Sequence, residues 1–211
     1  MDSISEQRLA GIFPVLADRV RSMAAALEKQ GVEIRVVQAL RTCEEQDALF
    51  AQGRTAPGKV VTNCCGGKSY HNFGLAVDLV PSINGVDQTY VPDWNREHPT
   101  WQKMIAAGAA EGLNAGATWR TFPDYPHFQL TGQFPVGAPS DEVRELFKTG
   151  GLAAVWAEVK KSLTLQDQQF EEKLRSYLHD PVVPLFRKDD GSIDREKTLS
   201  LPCYADLRDA K

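Results

Sequence analysis

The sequence predicts an α+β domain, a small sheet flanked by helices, followed by a helical C-terminal extension. Three observations carry that prediction. Apolar residues recur at helical spacing near the start and again after residue 100, and short β-branched or alternating runs lie between those stretches. Beyond residue 140 only helical patterns remain. The strands are short and their connections irregular, which suits a small sheet better than a doubly wound one.

Ser3 is placed to cap a first helix, with Glu6 completing a capping-box pattern. Leu9, Ile12, Phe13, Leu16, Val20, Met23 and Leu27 then recur at helical spacing, with Pro14 marking a break or restart and Gly31 an end. VEIRVVQAL (32–40) alternates and is β-branched, so it reads as a core strand. Thr42 and Glu45 form another capping box, opening a short helix through Phe50 that stops at Gly53. GKVVTN is a short strand candidate and FGLAVDLV a stronger one. A helix over Thr100 to about Leu113 follows, then a last strand at His127-Phe128-Gln129-Leu130. The domain is expected over residues 1–139. From 140 to 211 the extension starts helical at Ser140, is interrupted at Gly150-Gly151, runs on to Leu178 and ends in an irregular tail.

Composition narrows the function. With 42% hydrophobic and 25% charged residues in 211, the chain has the makings of a folded core. A formal charge of −4 gives no electrostatic case for nucleic acid. No apolar run approaches a membrane span, and the start lacks the basic-then-apolar pattern of a signal peptide. The protein is therefore expected to be made in the cytoplasm and to act elsewhere only after release or non-classical export. Cys43, Cys64, Cys65 and Cys203 have no metal-ligand spacing and read as free thiols.

The chemistry concentrates in SYHNFGLAVD, Ser69 to Asp78. Strand alternation puts Leu75, Val77 and Leu79 on one face and Gly74, Ala76, Asp78 and Val80 on the other. A carboxylate among such small neighbours calls for a cation or strong donor opposite it. His71 can fold back to share that cation if the chain turns, which Gly74 permits. Two ligands do not complete a catalytic zinc site, so a third must come from elsewhere. His98 and His179 lie in polar surroundings, whereas His127 opens an apolar strand with Asp124 three residues before it.

The S-x-H-x-x-G-x-A-x-D pattern of Ser69 to Asp78, with D-x-x-H at Asp124 and His127, resembles the zinc peptidases of the D-Ala-D-Ala carboxypeptidase and L-alanyl-D-glutamate endopeptidase group. That group includes phage endolysins and related cell-wall hydrolases. The segment LRTCEEQDALFAQGRTAPGKVVTN is also similar, with Arg41 and Gln46 at matching positions, and the resemblance spans residues 33–132. It implies a mainly antiparallel sheet of the Hedgehog/DD-peptidase type. It also implies one zinc ion held by His71, Asp78 and His127, with Asp124 as the general base. Arg41 would face the cleft as a catalytic residue that binds a substrate carbonyl or carboxylate, Gln46 would bind substrate, and Ser69 would bind substrate or orient the His71 loop.

Bland alternatives stand beside these roles. Asp124 could simply cap a proline turn. Arg41 could pair with Glu44 or Glu45, and Trp94, Trp101 and Trp119 could be core or cleft wall. The expected function is hydrolysis of the L-alanyl-D-glutamate bond in peptidoglycan stem peptides. D-Ala-D-Ala carboxypeptidase activity is the nearest alternative, and a non-catalytic zinc-binding module on the same fold is the rival from another class. The helical extension could bind cell wall, a delivery or secretion partner, or only the body of the protein.

Overall fold

The computed structural model describes residues 1–82 and 97–209. Helix α1 (Ser3–Leu9) is capped one residue earlier than expected, the Asp2 carboxylate accepting from the Ser5 N–H at 2.7 Å. Pro14 opens α2 (Pro14–Glu28) rather than breaking it, as a proline at the first helical position can. Leu16, Val20, Met23 and Leu27 of α2 are wholly buried. Each such side chain contributes about 1.5–3 kcal/mol by leaving water.

Strand β1 (Glu33–Gln38) follows, then α3 (Cys43–Ala51) with the expected Thr42–Glu45 capping box. β2 (Ala76–Ser82), α4 (Pro99–Ala110), β3 (Asn114–Ala115) and β4 (His127–Gln129) complete the sheet layer. The strands pair antiparallel in the order β1-β2-β4-β3. β1 is an edge, and α1 covers it: the Val36 N–H donates to the buried Ser5 hydroxyl at 3.0 Å. On the core side Val36, Val77, Leu79 and Phe128 are sealed by α2 and by Trp101 and Met104 of α4.

GKVVTN is not a strand. It passes as irregular chain with Val60 and Val61 more than half exposed, tied down by side-chain bonds from Gln46 and Arg54. Two-residue β3 escaped the periodicity because it is too short to show any.

Helix α5 (Asp141–Leu178) contains the interruption expected at Gly150-Gly151, Gly151 leaving helical geometry. The chain divides into two compact units, residues 1–156 and 157–211. The reason is packing. The indole of Trp156 donates to the Phe73 carbonyl at 2.8 Å, and Phe147 meets Phe73 edge to face, so residues 140–156 complete the first unit. The second unit also holds α6 (Arg195–Leu199) and α7 (Ala205–Asp209). Bonds fasten this segment: Ile193 N–H donates to Asp167 at 2.8 Å, Phe186 N–H to buried Thr198 at 3.0 Å, and the Tyr204 hydroxyl to Pro184 O at 3.1 Å. Among the described residues no helix is long and apolar enough to cross a membrane.

Candidate metal centre

His71 stands on a single 3₁₀ turn, Tyr70–Phe73, that Ser69 caps by accepting from the His71 N–H at 3.4 Å. The turn ends at Gly74 with φ 63°, a conformation that strains other residues, and a Cβ there would press on the Trp156 ring at 3.1 Å. Buried Asn72 fastens the turn from outside. Its amide donates to the carbonyls of Arg41 and Thr42 at 3.0 and 3.1 Å and accepts from Gly67 N–H at 3.0 Å.

Asp78 and His127 are directly opposed across the β2–β4 pair. The turn before β4 is set by Asp124, whose N–H donates to Gly116 O at 3.0 Å and whose carbonyl accepts from His127 N–H at 3.3 Å. A Cβ on Gly116 would come within 2.6 Å of that carbonyl and 3.0 Å of the His127 Cβ, so only glycine leaves room.

These supports bring three donor atoms into a triangle. His71 Nε2 is 3.2 Å from Asp78 Oδ1 and 3.3 Å from His127 Nδ1, and His127 Nδ1 is 3.4 Å from Asp78 Oδ1. The far nitrogens fix the tautomers. His71 Nδ1 lies 2.8 Å from the Ala39 carbonyl, which can only accept, so that nitrogen carries the hydrogen and Nε2 offers a lone pair. His127 Nε2 lies 2.8 Å from Gln129 Oε1, whose amide nitrogen donates to Val136 O at 2.6 Å, so His127 Nδ1 is likewise bare. Two lone pairs and a carboxylate oxygen this close repel one another unless a cation sits among them. The three residues therefore fit a metal ion.

The electrostatics agree. Burial opposes charge on Asp78, yet His71 and His127 outweigh it and hold the carboxyl well below its ordinary 3.8. Burial also opposes protonation of His127, but the hydrogen bond and charge of Asp78, helped by Gln129 and Asp124, raise its pKa above 6.5. The site is built for positive charge. Tyr70 is no proton carrier here, because burial pushes its phenol up to about 12 while it donates to Pro135 O.

The triangle floors a cleft of about 290 Å³ that Arg41, Ser69 and Asp124 also line. Asp124 is not one of the three clustered ligands. Arg41 donates to Gln46 at 2.7 Å and turns its other nitrogen toward Asp78 Oδ2 at 3.9 Å. Gln46 is wholly buried behind it, its amide nitrogen donating to Cys64 O at 2.7 Å and Thr62 at 3.3 Å, so it positions Arg41 and the cleft wall. Trp119 packs on His127 in the cleft while Trp101 is core, and Trp94 lies outside the described residues. His98 and His179 are exposed, His98 capping α4. All four cysteines are free, Cys64 beside the cleft. Sequence reasoning missed Gln129, Asn72 and Tyr70 as supports; the alternation that sets Gln129 beside His127 was the available signal.

The family model for D-alanyl-D-alanine carboxypeptidase, of the M15 peptidases, matches residues 64–130, the stretch that holds His71, Asp78, Asp124 and His127. A peptidoglycan L-alanyl-D-glutamate endopeptidase, CwlK of Bacillus subtilis (strain 168), is 30% identical over 126 residues, covering 56% of this chain and 73% of the relative. The chain belongs to the M15 peptidase family. Peptidases of this family depend on a metal, and among the described residues the His71–Asp78–His127 triangle could hold one. An L-alanyl-D-glutamate peptidase of Listeria phage A118 is 28% identical over 120 residues, 54% of this chain and 38% of the relative. Among solved structures, Serratia marcescens L-Ala D-Glu endopeptidase ChiX matches 62% of this chain and 89% of its own at 26% identity, with a TM-score of 0.44.

Proposed function

We propose that this protein is a zinc-dependent peptidase that hydrolyses the L-alanyl-D-glutamate bond of peptidoglycan stem peptides. The observation that carries the reading is the donor triangle at the floor of a cleft shared with Asp124 and Arg41. Zinc is favoured by the donor set: two imidazole nitrogens and a carboxylate oxygen are ligands that catalytic zinc takes, and they lie 3.2, 3.3 and 3.4 Å from one another here. The bond specificity is supported by the names of the Bacillus and phage relatives.

Bound zinc supplies a Lewis acid for the scissile carbonyl and lowers the pKa of water to about 7. The chain's own residues do the rest. Asp124 accepts the proton of the attacking water and returns it to the leaving amine. Arg41, held by Gln46 along one edge, binds a substrate carbonyl or carboxylate with its planar fork. A glutamyl residue carries one carboxylate beyond the one in the chain, and the cations Arg41 and Lys68 both line the cleft that would receive it. Ser69 orients the His71 turn. Reaching cell wall from the cytoplasm requires lysis or an export partner, and that delivery is part of the proposal.

Carboxypeptidase action on D-Ala-D-Ala is the second reading, favoured by the description of the matching family model. A module that only bound its target would need the triangle but not Asp124 in the cleft. Mass spectrometry of fragments released from purified sacculi decides: new amino-terminal glutamate is the expected product, whereas release of free alanine alone would replace this reading with the second.

A further inference from the structure

Two non-glycine residues among those described have positive φ, Phe122 at 67° and His179 at 52°. His179 directly follows the last residue of α5, where a left-handed residue commonly terminates a helix. Phe122 has no such explanation. The nearest helical turn ends at Thr118, and Phe122 precedes Pro123, whose ring presses its neighbour toward extended backbone of negative φ. A bulky side chain in this conformation costs stability and is retained only where the surroundings enforce it.

Core packing does not repay that cost, because Phe122 is 65% exposed. It lines the cleft, two positions before Asp124, whose backbone is pinned to Gly116. Val61, from a segment remote in sequence, is the other strongly exposed apolar side chain lining the same cleft, at 55%. The cleft thus offers metal ligands and Asp124 at its floor, cations at Arg41 and Lys68, and bare hydrocarbon at Val61 and Phe122. An alanyl-glutamyl bond presents a carboxylate on one residue and only a methyl group on the other.

We propose that Phe122 is a substrate-binding residue, its ring held out by a strained backbone to pack on the alanyl residue of the bound stem peptide. This rests on the reading of the site as a stem-peptide peptidase. Folding stability is given up at residue 122 for contact with substrate. Substitution by glycine therefore separates the two, relieving the backbone while removing the ring.

The test compares wild type with Phe122→Gly and Phe122→Tyr, all metal-loaded, on a soluble stem peptide. Phe122→Gly should melt about 2–4 °C higher, keep its metal, and raise KM roughly tenfold with kcat within about twofold, the mark of lost uniform binding. Phe122→Tyr should keep the wild-type KM. Replacing the substrate alanine by glycine should weaken wild type about fourfold, the worth of one buried methyl group, and Phe122→Gly hardly at all. Calorimetric binding of the same peptide to Asp124→Asn, with and without Phe122→Gly, reads the contact without turnover. An unchanged KM and affinity in Phe122→Gly overturns the proposal, and so does a fall in melting temperature. If wild type binds the peptide without cutting it, the peptidase reading fails while the calorimetric difference still upholds Phe122; if it binds no stem peptide, both fail.

Discussion

At the floor of the cleft His71 and His127 are 3% and 6% exposed and each ring nitrogen has an assigned neighbour, whereas the apolar rim residues Val61 and Phe122 are 55% and 65% exposed. The floor is over-determined: strand register, a capped turn and two tautomer-fixing bonds all lead to one arrangement. The rim is under-packed and at Phe122 works against its own backbone preference. The contrast teaches a division of labour, with rigidity where a reacting bond must be placed and exposed surface where a substrate must be gripped.

The largest effect should come from the floor itself. Replacing His71, Asp78 or His127 by Ala should abolish both metal content and hydrolysis, measured together by elemental analysis and turnover. Asp124→Asn should split them: metal stays near wild type while turnover drops by roughly a hundred- to ten-thousand-fold, the contribution of a positioned general base. Parallel loss of metal in that variant would move Asp124 from the reacting groups to the supports. Gln129→Leu should be milder, lowering metal affinity about 10–100-fold through the freed His127 ring. A competition titration with a chelator measures it, and an unchanged affinity would mean that packing alone orients His127.

The smallest and most graded effect is that of pH. Protons compete with metal for His127 Nδ1, and since the His127 pKa is raised above 6.5, metal loss on acidification should begin above the pH that an ordinary histidine would set. In chelated protein the signs separate. The raised His127 pKa contributes stability that is whole below about pH 6.5 and is lost as pH rises through the folded value. The lowered Asp78 pKa contributes stability that is whole above about pH 3.8 and is lost as pH falls through the folded value. Chelated protein should therefore resist denaturant best in mildly acid solution, and an optimum above neutrality would contradict the assigned charges.

Much of the floor was legible because its residues are close in sequence or announce their register. Ser69, His71, Gly74 and Asp78 lie within one turn and one strand, and period-two alternation was enough to aim Asp78 off the sheet. Strand pairing is different in kind. That Asp78 opposes His127 depends on how β2 and β4 meet, a relation that no local pattern encodes. GKVVTN misled because β-branched residues favour a strand only where a partner strand exists, and here the segment is fastened through side chains instead. Gln46 was expected to meet substrate, and its burial behind Arg41 depends on partners remote in sequence; Asn72 reads as an ordinary polar residue until its partners are known. Phe122 was least legible of all, since a backbone angle leaves no mark on composition or spacing.

The pairing of Asp78 with His127 also bears on how the chain holds together. All four cysteines are free, so no covalent bridge limits the unfolded ensemble. An ion held by Asp78 and His127 would join two points about fifty residues apart, but only in the folded chain, since it is released when its ligands separate. It would therefore stabilise by mass action, about 2.7 kcal/mol at a free-ion concentration a hundredfold above its dissociation constant. The ion that the chemistry calls for would thus also be a reversible fastening, and the protein's resistance to unfolding should rise and fall with the supply of metal around it.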